Sequence, residues 1–189
     1  MRPSVVALSL CIGAAICVTQ AGCRGRGSSP APATRDPSPG EIVAGSPAPD
    51  FTGTTYDGKT ITLSALKGKP VVVYFYPKDE TPGCTKEACS FRDAWSDLVA
   101  THAVLIGVSM DDAEAHREFV EHWKLPFLLV SDTDGVIAAK YGVPLKHFGT
   151  ATFEARQTFV IGADGLVKKV YREVDVTKHV GEVVADLKG

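Results

Sequence analysis

The chain has 189 residues, of which 44% are apolar and 22% are charged, as is typical of a soluble domain with some additional sequence. Its formal net charge is −2, and the sequence contains no run of lysines and arginines. Nucleic-acid binding is therefore not expected, because it requires a basic surface.

Residues 1–22 predict a signal peptide. A positive charge at Arg2 precedes an apolar run over residues 5–18, which is too short to span a bilayer but fits the core of a signal peptide. The run is followed by Ala-Gly-Cys, which resembles the end of a bacterial lipoprotein signal. Cys23 would then carry a lipid, and the protein would be anchored in the cell envelope or periplasm.

Gln20 departs from this pattern, because lipoprotein signals usually have an apolar residue three positions before the cysteine. Cleavage after Ala21, which would give a soluble periplasmic protein, and retention as a membrane anchor are the alternatives. Residues 23–44 are rich in Pro, Ser and Gly and predict a flexible linker, since they cannot bury enough apolar surface to fold. We expect a single domain over residues 45–189.

Within this domain, strand-like and helix-like patterns alternate. The β-branched and aromatic run VVVYFY predicts a strand that is buried on both faces. In chain order the predicted elements are a short hairpin ending at 61–63, a strand at 71–76, a helix at 84–99, a strand at 103–109, a helix at 111–123, a strand at 127–132, a helix at 135–141, two strands joined by a turn within 157–172, and a helix at 176–187. The alternation predicts a thioredoxin-like α/β fold, with a mainly parallel central sheet, an antiparallel edge and flanking helices.

Only two of the five cysteines, Cys84 and Cys89, lie in the predicted domain. Cys84 follows a strand and a Pro-Gly turn and begins a helix. The free backbone N–H groups and the helix dipole at such a position stabilise a thiolate. This placement favours a reactive cysteine over an inert buried one.

Cys89 follows five residues later on the same predicted helix. On an intact helix this spacing separates the Cα atoms by roughly 8.6 Å, whereas a disulfide tolerates about 7 Å. A bridge between the two cysteines therefore requires part of the helix to unwind. The spacing favours a reversible disulfide over a static structural one.

A metal site is the other interpretation of paired cysteines. It would need two or more further ligands, and the five histidines show no close pairing and are mostly expected at the surface: His102, His116, His122, His147 and His179. Zinc is therefore not expected, and no Gly-rich phosphate loop indicates a nucleotide.

The segment YFYPKDETPGCTKEACSFRD resembles the active-site segment of peroxiredoxins of the bacterioferritin comigratory protein (peroxiredoxin Q) subfamily. The pattern Pro-x-x-x-Thr-x-x-Cys is met by Pro77, Thr81 and Cys84. The resemblance extends over about residues 45–188, including GSPAPDF near the start and FVIGADG near the end.

This resemblance implies a thioredoxin-dependent peroxidase that defends the cell against oxidative stress. Cys84 would attack a hydroperoxide and become a sulfenic acid, and Cys89 would resolve it as an intramolecular disulfide. Thr81 would hydrogen-bond the thiolate and the peroxide, Pro77 would shield the sulfur, and Arg156 would stabilise the developing charge. A thioredoxin-like protein would reduce the disulfide. No cofactor or metal is implied, and the protein is expected to be a monomer.

Two other functions occur on this fold. A disulfide oxidoreductase is disfavoured because the chain has no CxxC motif and has Gln157 where thioredoxins have a cis-proline. A copper-delivery protein would resemble CxxxC plus a histidine, and the spacing here is one residue longer.

The remaining conspicuous side chains have plainer interpretations. Trp95 and Trp123 are expected to pack in helices, and Asp79 and Glu80 are expected to be solvated. The segment around Phe148 is expected to form a loop before Arg156, and in the family that it resembles this region borders the active site, where it could contact the substrate.

Overall fold

The structure is a computed structural model, and it describes residues 41–189. The predicted signal peptide, Cys23 and most of the predicted linker lie outside these residues. Ile42 is already buried, and its carbonyl oxygen accepts a hydrogen bond from Arg172 at 2.9 Å. The packed part of the chain thus includes residues just before Gly45.

Nine strands, five α-helices and one short 3-10 helix, at Leu63–Leu66, follow one another along the described residues. The strands are β1 Thr52–Thr55, β2 Thr60–Thr62, β3 Val71–Phe75, β4 Val104–Ser109, β5 Leu128–Ser131, β6 Leu145–Phe148, β7 Ala151–Glu154, β8 Gln157–Ile161 and β9 Val167–Tyr171. The helices are α1 Pro82–Asp93, α2 Trp95–Ala100, α3 Ala113–Trp123, α4 Val136–Lys140 and α5 His179–Lys188. Among residues 41–189, none of these helices is long and apolar enough to cross a membrane.

Seven strands form one sheet in the order β2-β1-β5-β4-β3-β8-β9. The three central strands, β5, β4 and β3, are parallel, and the pairs on both sides of them are antiparallel. The expected α/β fold is confirmed. Antiparallel pairing is more extensive than expected, because β1 pairs with β5 and extends the sheet on the side opposite to β8 and β9.

The central strand β3 is buried on both faces, as its apolar run predicts. Val73 and Phe75 face one hydrophobic core, while Val72 and Tyr74 face the other. Both cores are closed by helices, and α1, α3 and α5 contribute to the core that contains Cys84. The sheet therefore provides a rigid base for the loop that follows β3.

Two predicted elements differ from the structure. The helix expected at 84–99 is divided at Ala94, whose φ of −89° and ψ of 10° end α1 before α2 begins. The segment expected as a loop around Phe148 is instead the two-stranded hairpin β6–β7, which pairs Leu145 with Glu154. All four residues of β6 are exposed, so this strand lacks the alternation of buried and exposed residues that indicates a strand in a sequence.

Candidate active site

The turn between β3 and α1 places Cys84 at the start of a helix. Thr81 is the N-cap in an extended conformation, Pro82 occupies the first helical position and Cys84 the third. The backbone N–H of Cys84 therefore has no partner within the helix and belongs to its positive end. The Cys84 side chain is buried, with 2% of the residue exposed.

Arg156 lies directly against this cysteine. The antiparallel register pairs Phe75 with Gln157, so the residue before β8 lies beside the end of β3. Arg156 Nη2 donates to Cys84 Sγ at 3.0 Å. The structure therefore brings together two predicted site residues that are 72 positions apart in the chain.

Glu87 holds the other side of the same guanidinium. It is fully buried one turn after Cys84 on α1, and its Oε2 accepts from Arg156 Nη1. Burial raises the pKa of Glu87 to about 7, although Arg156 opposes this rise. In the sequence, the only feature that marks Glu87 is its spacing of three residues from Cys84, which places both on one helix face.

His179 completes the buried polar group beneath Cys84. Its Nε2 lies 2.9 Å from Thr158 Oγ1 and 3.9 Å from Glu87 Oε1. Burial and the charge of Arg156 lower the pKa of His179 to about 4, so its ring is neutral near pH 7. His179 is an exception to the expectation that most of the histidines lie at the surface, because α5 packs it against the sheet with 0% exposure.

Thr81 and Pro77 both lie in the turn that leads to Cys84. The Thr81 hydroxyl donates to the Lys78 carbonyl oxygen at 2.9 Å and makes no capping bond to the helix. Its oxygen keeps lone pairs that can accept a hydrogen bond. Pro77 is half-buried directly after Tyr76.

Cys89 is half-buried on α1, and neither it nor Cys84 forms a disulfide. Helix α1 is continuous from Pro82 to Asp93, so the two thiols are on an intact helix. Burial raises the pKa of the Cys89 thiol, and the positive charge of Arg92 partly opposes this effect.

Asp79 is buried beneath the turn and bonded to residues around it, so the expectation that it is solvated is wrong. Its carboxylate accepts from the Tyr76 hydroxyl at 2.7 Å and lies 2.7 Å from Nδ1 of fully buried His116. Its backbone N–H donates to Asp111 at 2.9 Å. His116, like His179, is a core residue, whereas His102, His122 and His147 are exposed, as expected for most of the histidines.

Glu80 is exposed, as expected, but it is not free of contacts. Its carboxylate lies 2.9 Å from His122 Nδ1 and accepts from Trp123 Nε1 at 3.1 Å.

Trp95 and Trp123 both pack against the core that contains Cys84. Phe148 is 82% exposed and lies on the β6–β7 hairpin. Within residues 41–189, no three His, Cys, Asp or Glu side chains are grouped as a metal site.

Comparisons with known proteins agree with this geometry. The pattern of the AhpC/TSA family matches residues 44–170. The chain is 47% identical over 146 residues to a chloroplastic peroxiredoxin Q of Oryza sativa subsp. japonica, covering 77% of this chain and 66% of that protein. It is 46% identical over 149 residues to a putative peroxiredoxin bcp of Coxiella burnetii, covering 77% of this chain and 99% of that protein.

Solved structures show the same relationship. Peroxidoxin BcpB of Mycobacterium tuberculosis superposes with a TM-score of 0.72 at 34% identity, covering 78% of this chain and 97% of that one. A bacterioferritin comigratory protein of Xanthomonas campestris, solved to study its alkyl peroxide reduction activity, has a TM-score of 0.68 at 32% identity, covering 73% and 90%. The chain therefore belongs to the AhpC/TSA family, among the peroxiredoxin Q and bacterioferritin comigratory proteins.

Proposed function

We propose that this protein is a thiol-dependent peroxidase that reduces hydrogen peroxide and organic hydroperoxides through Cys84. The observation that carries the proposal is the contact of 3.0 Å between Arg156 Nη2 and Cys84 Sγ at the positive end of α1. A structural cysteine has no need of a cation and a helix N-terminus together, whereas a nucleophilic thiolate is stabilised by both.

In the first step the Cys84 thiolate attacks one oxygen of the peroxide. The S–O bond forms as the O–O bond breaks, the sulfur is oxidised to a sulfenic acid, and the alkoxide or hydroxide that leaves takes up a proton from solvent to become an alcohol or water. Arg156 is already in contact with the sulfur and can stabilise the negative charge that moves onto the leaving oxygen. The backbone N–H of Cys84 is available to the bound peroxide.

Thr81 and Pro77 shape the position of the peroxide. Because the Thr81 hydroxyl donates its proton to Lys78, its oxygen can accept a hydrogen bond from the peroxide O–H. Pro77 is half-buried directly after Tyr76, and the resemblance gives it the role of shielding the sulfur from water.

In the second step Cys89 attacks the sulfenic acid. The S–S bond forms, the S–O bond of Cys84 breaks and water leaves, so that two thiols of one chain become a disulfide. A thioredoxin-like dithiol protein then reduces this disulfide and returns both thiols. Since both cysteines lie on one helix, the cycle needs no second subunit, and we expect a monomer to be active.

Export and lipid attachment at Cys23 are a separate part of the proposal, supported by the N-terminal sequence alone. A Cys23→Ser variant expressed in bacteria should lose incorporation of labelled palmitate and appear in the soluble periplasmic fraction. Labelling that persists in this variant would exclude Cys23 as the lipid site. The predicted arrangement of signal peptide 1–22, linker 23–44 and domain 45–189 would be tested by the N-terminal sequence of the mature protein.

The peroxidase proposal is tested by peroxide consumption with a dithiol reductant in the wild type, Cys84→Ser and Cys89→Ser. Cys84→Ser should abolish turnover, whereas Cys89→Ser should consume one equivalent of peroxide and accumulate a sulfenic acid that dimedone traps. Turnover that survives Cys84→Ser would overturn the proposal. Stoichiometric copper binding without turnover would instead favour a copper-delivery protein.

A further inference from the structure

Both ends of the segment that carries the two cysteines are attached to one place, the C-terminus of α3. Glu80, immediately before the N-cap of α1, binds His122 Nδ1 at 2.9 Å and Trp123 Nε1 at 3.1 Å. Arg92, three residues after Cys89, donates from Nη1 to the Trp123 carbonyl oxygen at 2.8 Å. We name these contacts of Glu80 and Arg92 with His122 and Trp123 the α3 clasp.

The backbone at Glu80 indicates that these contacts hold a fixed conformation. Its φ of 58° is in the left-handed region, which residues other than glycine rarely adopt. Such strain persists only where surrounding contacts over-determine it. The two hydrogen bonds of the Glu80 carboxylate are contacts of this kind, because they join the turn to a different helix.

Arg92 is similarly fixed on the other side of Cys89. Its Nε donates to Asp93 at 2.9 Å while its Nη1 is bound to Trp123. In an α-helix the N–H of residue 92 bonds the carbonyl of residue 88, so unwinding at Cys89 removes the turn that positions Arg92. The contact between Arg92 and Trp123 cannot survive this movement unchanged.

We propose that the α3 clasp holds α1 in its helical form and thereby sets the rate at which Cys89 reaches Cys84. This inference rests on the proposed peroxidase cycle, in which α1 must open before the disulfide can form. Glu80 and Trp123 are then positioning residues for the second step. They contact neither the peroxide nor the two sulfur atoms, and the first step does not depend on them.

The clasp can be weakened by two substitutions that remove its side-chain hydrogen bonds. Glu80→Ala removes both carboxylate hydrogen bonds, and Trp123→Phe removes only the indole N–H while it keeps an aromatic ring. Glu114→Ala is the matched control, because Glu114 is an exposed glutamate whose partner Arg117 lies on α3 itself. The double variant Glu80→Ala with Trp123→Phe tests whether the two residues act through their shared bond.

The experiment adds one equivalent of hydrogen peroxide to the reduced protein, quenches with acid at increasing times, and measures thiol, dimedone-trapped sulfenic acid and disulfide by mass spectrometry. Glu80→Ala should form the disulfide about three- to tenfold faster than the wild type, as expected for the loss of one or two modest hydrogen bonds. Trp123→Phe should show a smaller increase, and the double variant should be no faster than Glu80→Ala. The rate at which the Cys84 thiol disappears should be the same in all five proteins, the control Glu114→Ala included.

Amide hydrogen exchange in the reduced protein supplies a second measurement. Residues 84–89 should exchange faster in Glu80→Ala than in Glu114→Ala, by a factor similar to the change in disulfide formation. Disulfide formation at the wild-type rate or slower in Glu80→Ala would overturn the proposal that the α3 clasp controls the opening of α1. A wild-type protein that forms no disulfide at all would overturn the peroxidase cycle itself, so the two failures are distinguishable.

Discussion

Arg156 contacts Cys84 and Glu87 at the same time, with Nη2 at 3.0 Å from the sulfur and Nη1 bound to the buried carboxylate. One guanidinium thus joins the helix that carries the thiol to the strand β8. Because Glu87 fixes one side of the fork, the other side is directed at the sulfur before any peroxide binds. Such preorganised donors need little reorganisation as charge develops.

Replacing Arg156 should therefore slow the first step. We expect Arg156→Met to lower the second-order rate constant for oxidation of Cys84 by hydrogen peroxide by about 10²- to 10³-fold, as for the loss of one oxyanion donor. Arg156→Lys should recover only part of this loss, since a single ammonium group cannot hold the sulfur and the carboxylate with two fixed donors as the planar guanidinium does. Stopped-flow oxidation measures the rates, and Arg117→Met, at an exposed arginine on α3, is the control. An Arg156→Met rate within threefold of the wild type would contradict the assignment.

Glu154 should make the protein less stable in alkaline solution. Among the described residues, no donor reaches either oxygen of this buried carboxyl. Burial first, and then the neighbouring Asp132, raise the pKa of Glu154 to about 9. A pKa that is raised in the folded state contributes stability that is complete below the unfolded value near 4.5 and is lost as the pH rises through about 9.

The variant Glu154→Gln tests this effect, because an amide cannot ionise but keeps a donor for Asp132. Urea unfolding at pH 5, 7 and 9 should show the free energy of unfolding of Glu154→Gln rising relative to the wild type as the pH increases. Glu118→Gln, at an exposed position on α3, should follow the wild type. A constant difference between Glu154→Gln and wild type across this range would exclude Glu154 as the titrating group.

His179 should have the opposite effect, in acid. Its pKa is lowered to about 4, so it contributes stability that is complete above the unfolded value near 6.5 and is lost as the pH falls through about 4. Glu87 titrates in the other direction between about 4.5 and 7, since its folded pKa is raised. The two effects partly cancel in the wild type.

Replacing His179 separates them. His179→Gln keeps a group that can bond Thr158 but cannot take up a proton, so its free energy of unfolding should rise relative to the wild type between pH 6.5 and 4. Urea unfolding at intervals across this range measures the difference, and the exposed His147→Gln is the control. If both variants follow the wild type, His179 is not the source of the acid sensitivity.

The buried contact of Asp79 with His116 should be needed for a stable active-site turn. His116→Leu removes the donor at 2.7 Å and leaves a buried carboxylate with one fewer partner, which should lower the free energy of unfolding by about 1–3 kcal/mol. His116→Asn retains an N–H donor and should recover part of the loss. Thermal unfolding of both variants tests this, and equal losses in the two would show that packing rather than the hydrogen bond is responsible.

Local sequence is enough to predict several elements of this protein and the position of its reactive cysteine. The run of β-branched and aromatic residues at 71–76 predicts β3, and the Pro-Gly turn after it predicts that Cys84 begins a helix. The spacing of Cys84 and Cys89 predicts two unbridged thiols on an intact helix, and the structure has this arrangement. These features depend on backbone geometry over a few residues, which neighbouring side chains control.

Tertiary structure decided which charged groups surround the thiol. Arg156 was identified only through a resemblance, and its contact with Cys84 depends on the register of β8 against β3. Glu87, His116 and His179 acquire their burial and their partners from α1, α3 and α5 packing on the sheet. No local pattern marks a histidine as buried, because its surroundings come from residues that are distant in the chain. The sequence alone therefore determined where the reactive cysteine stands, and the packing of the helices on the sheet determined the electrostatic environment in which it reacts.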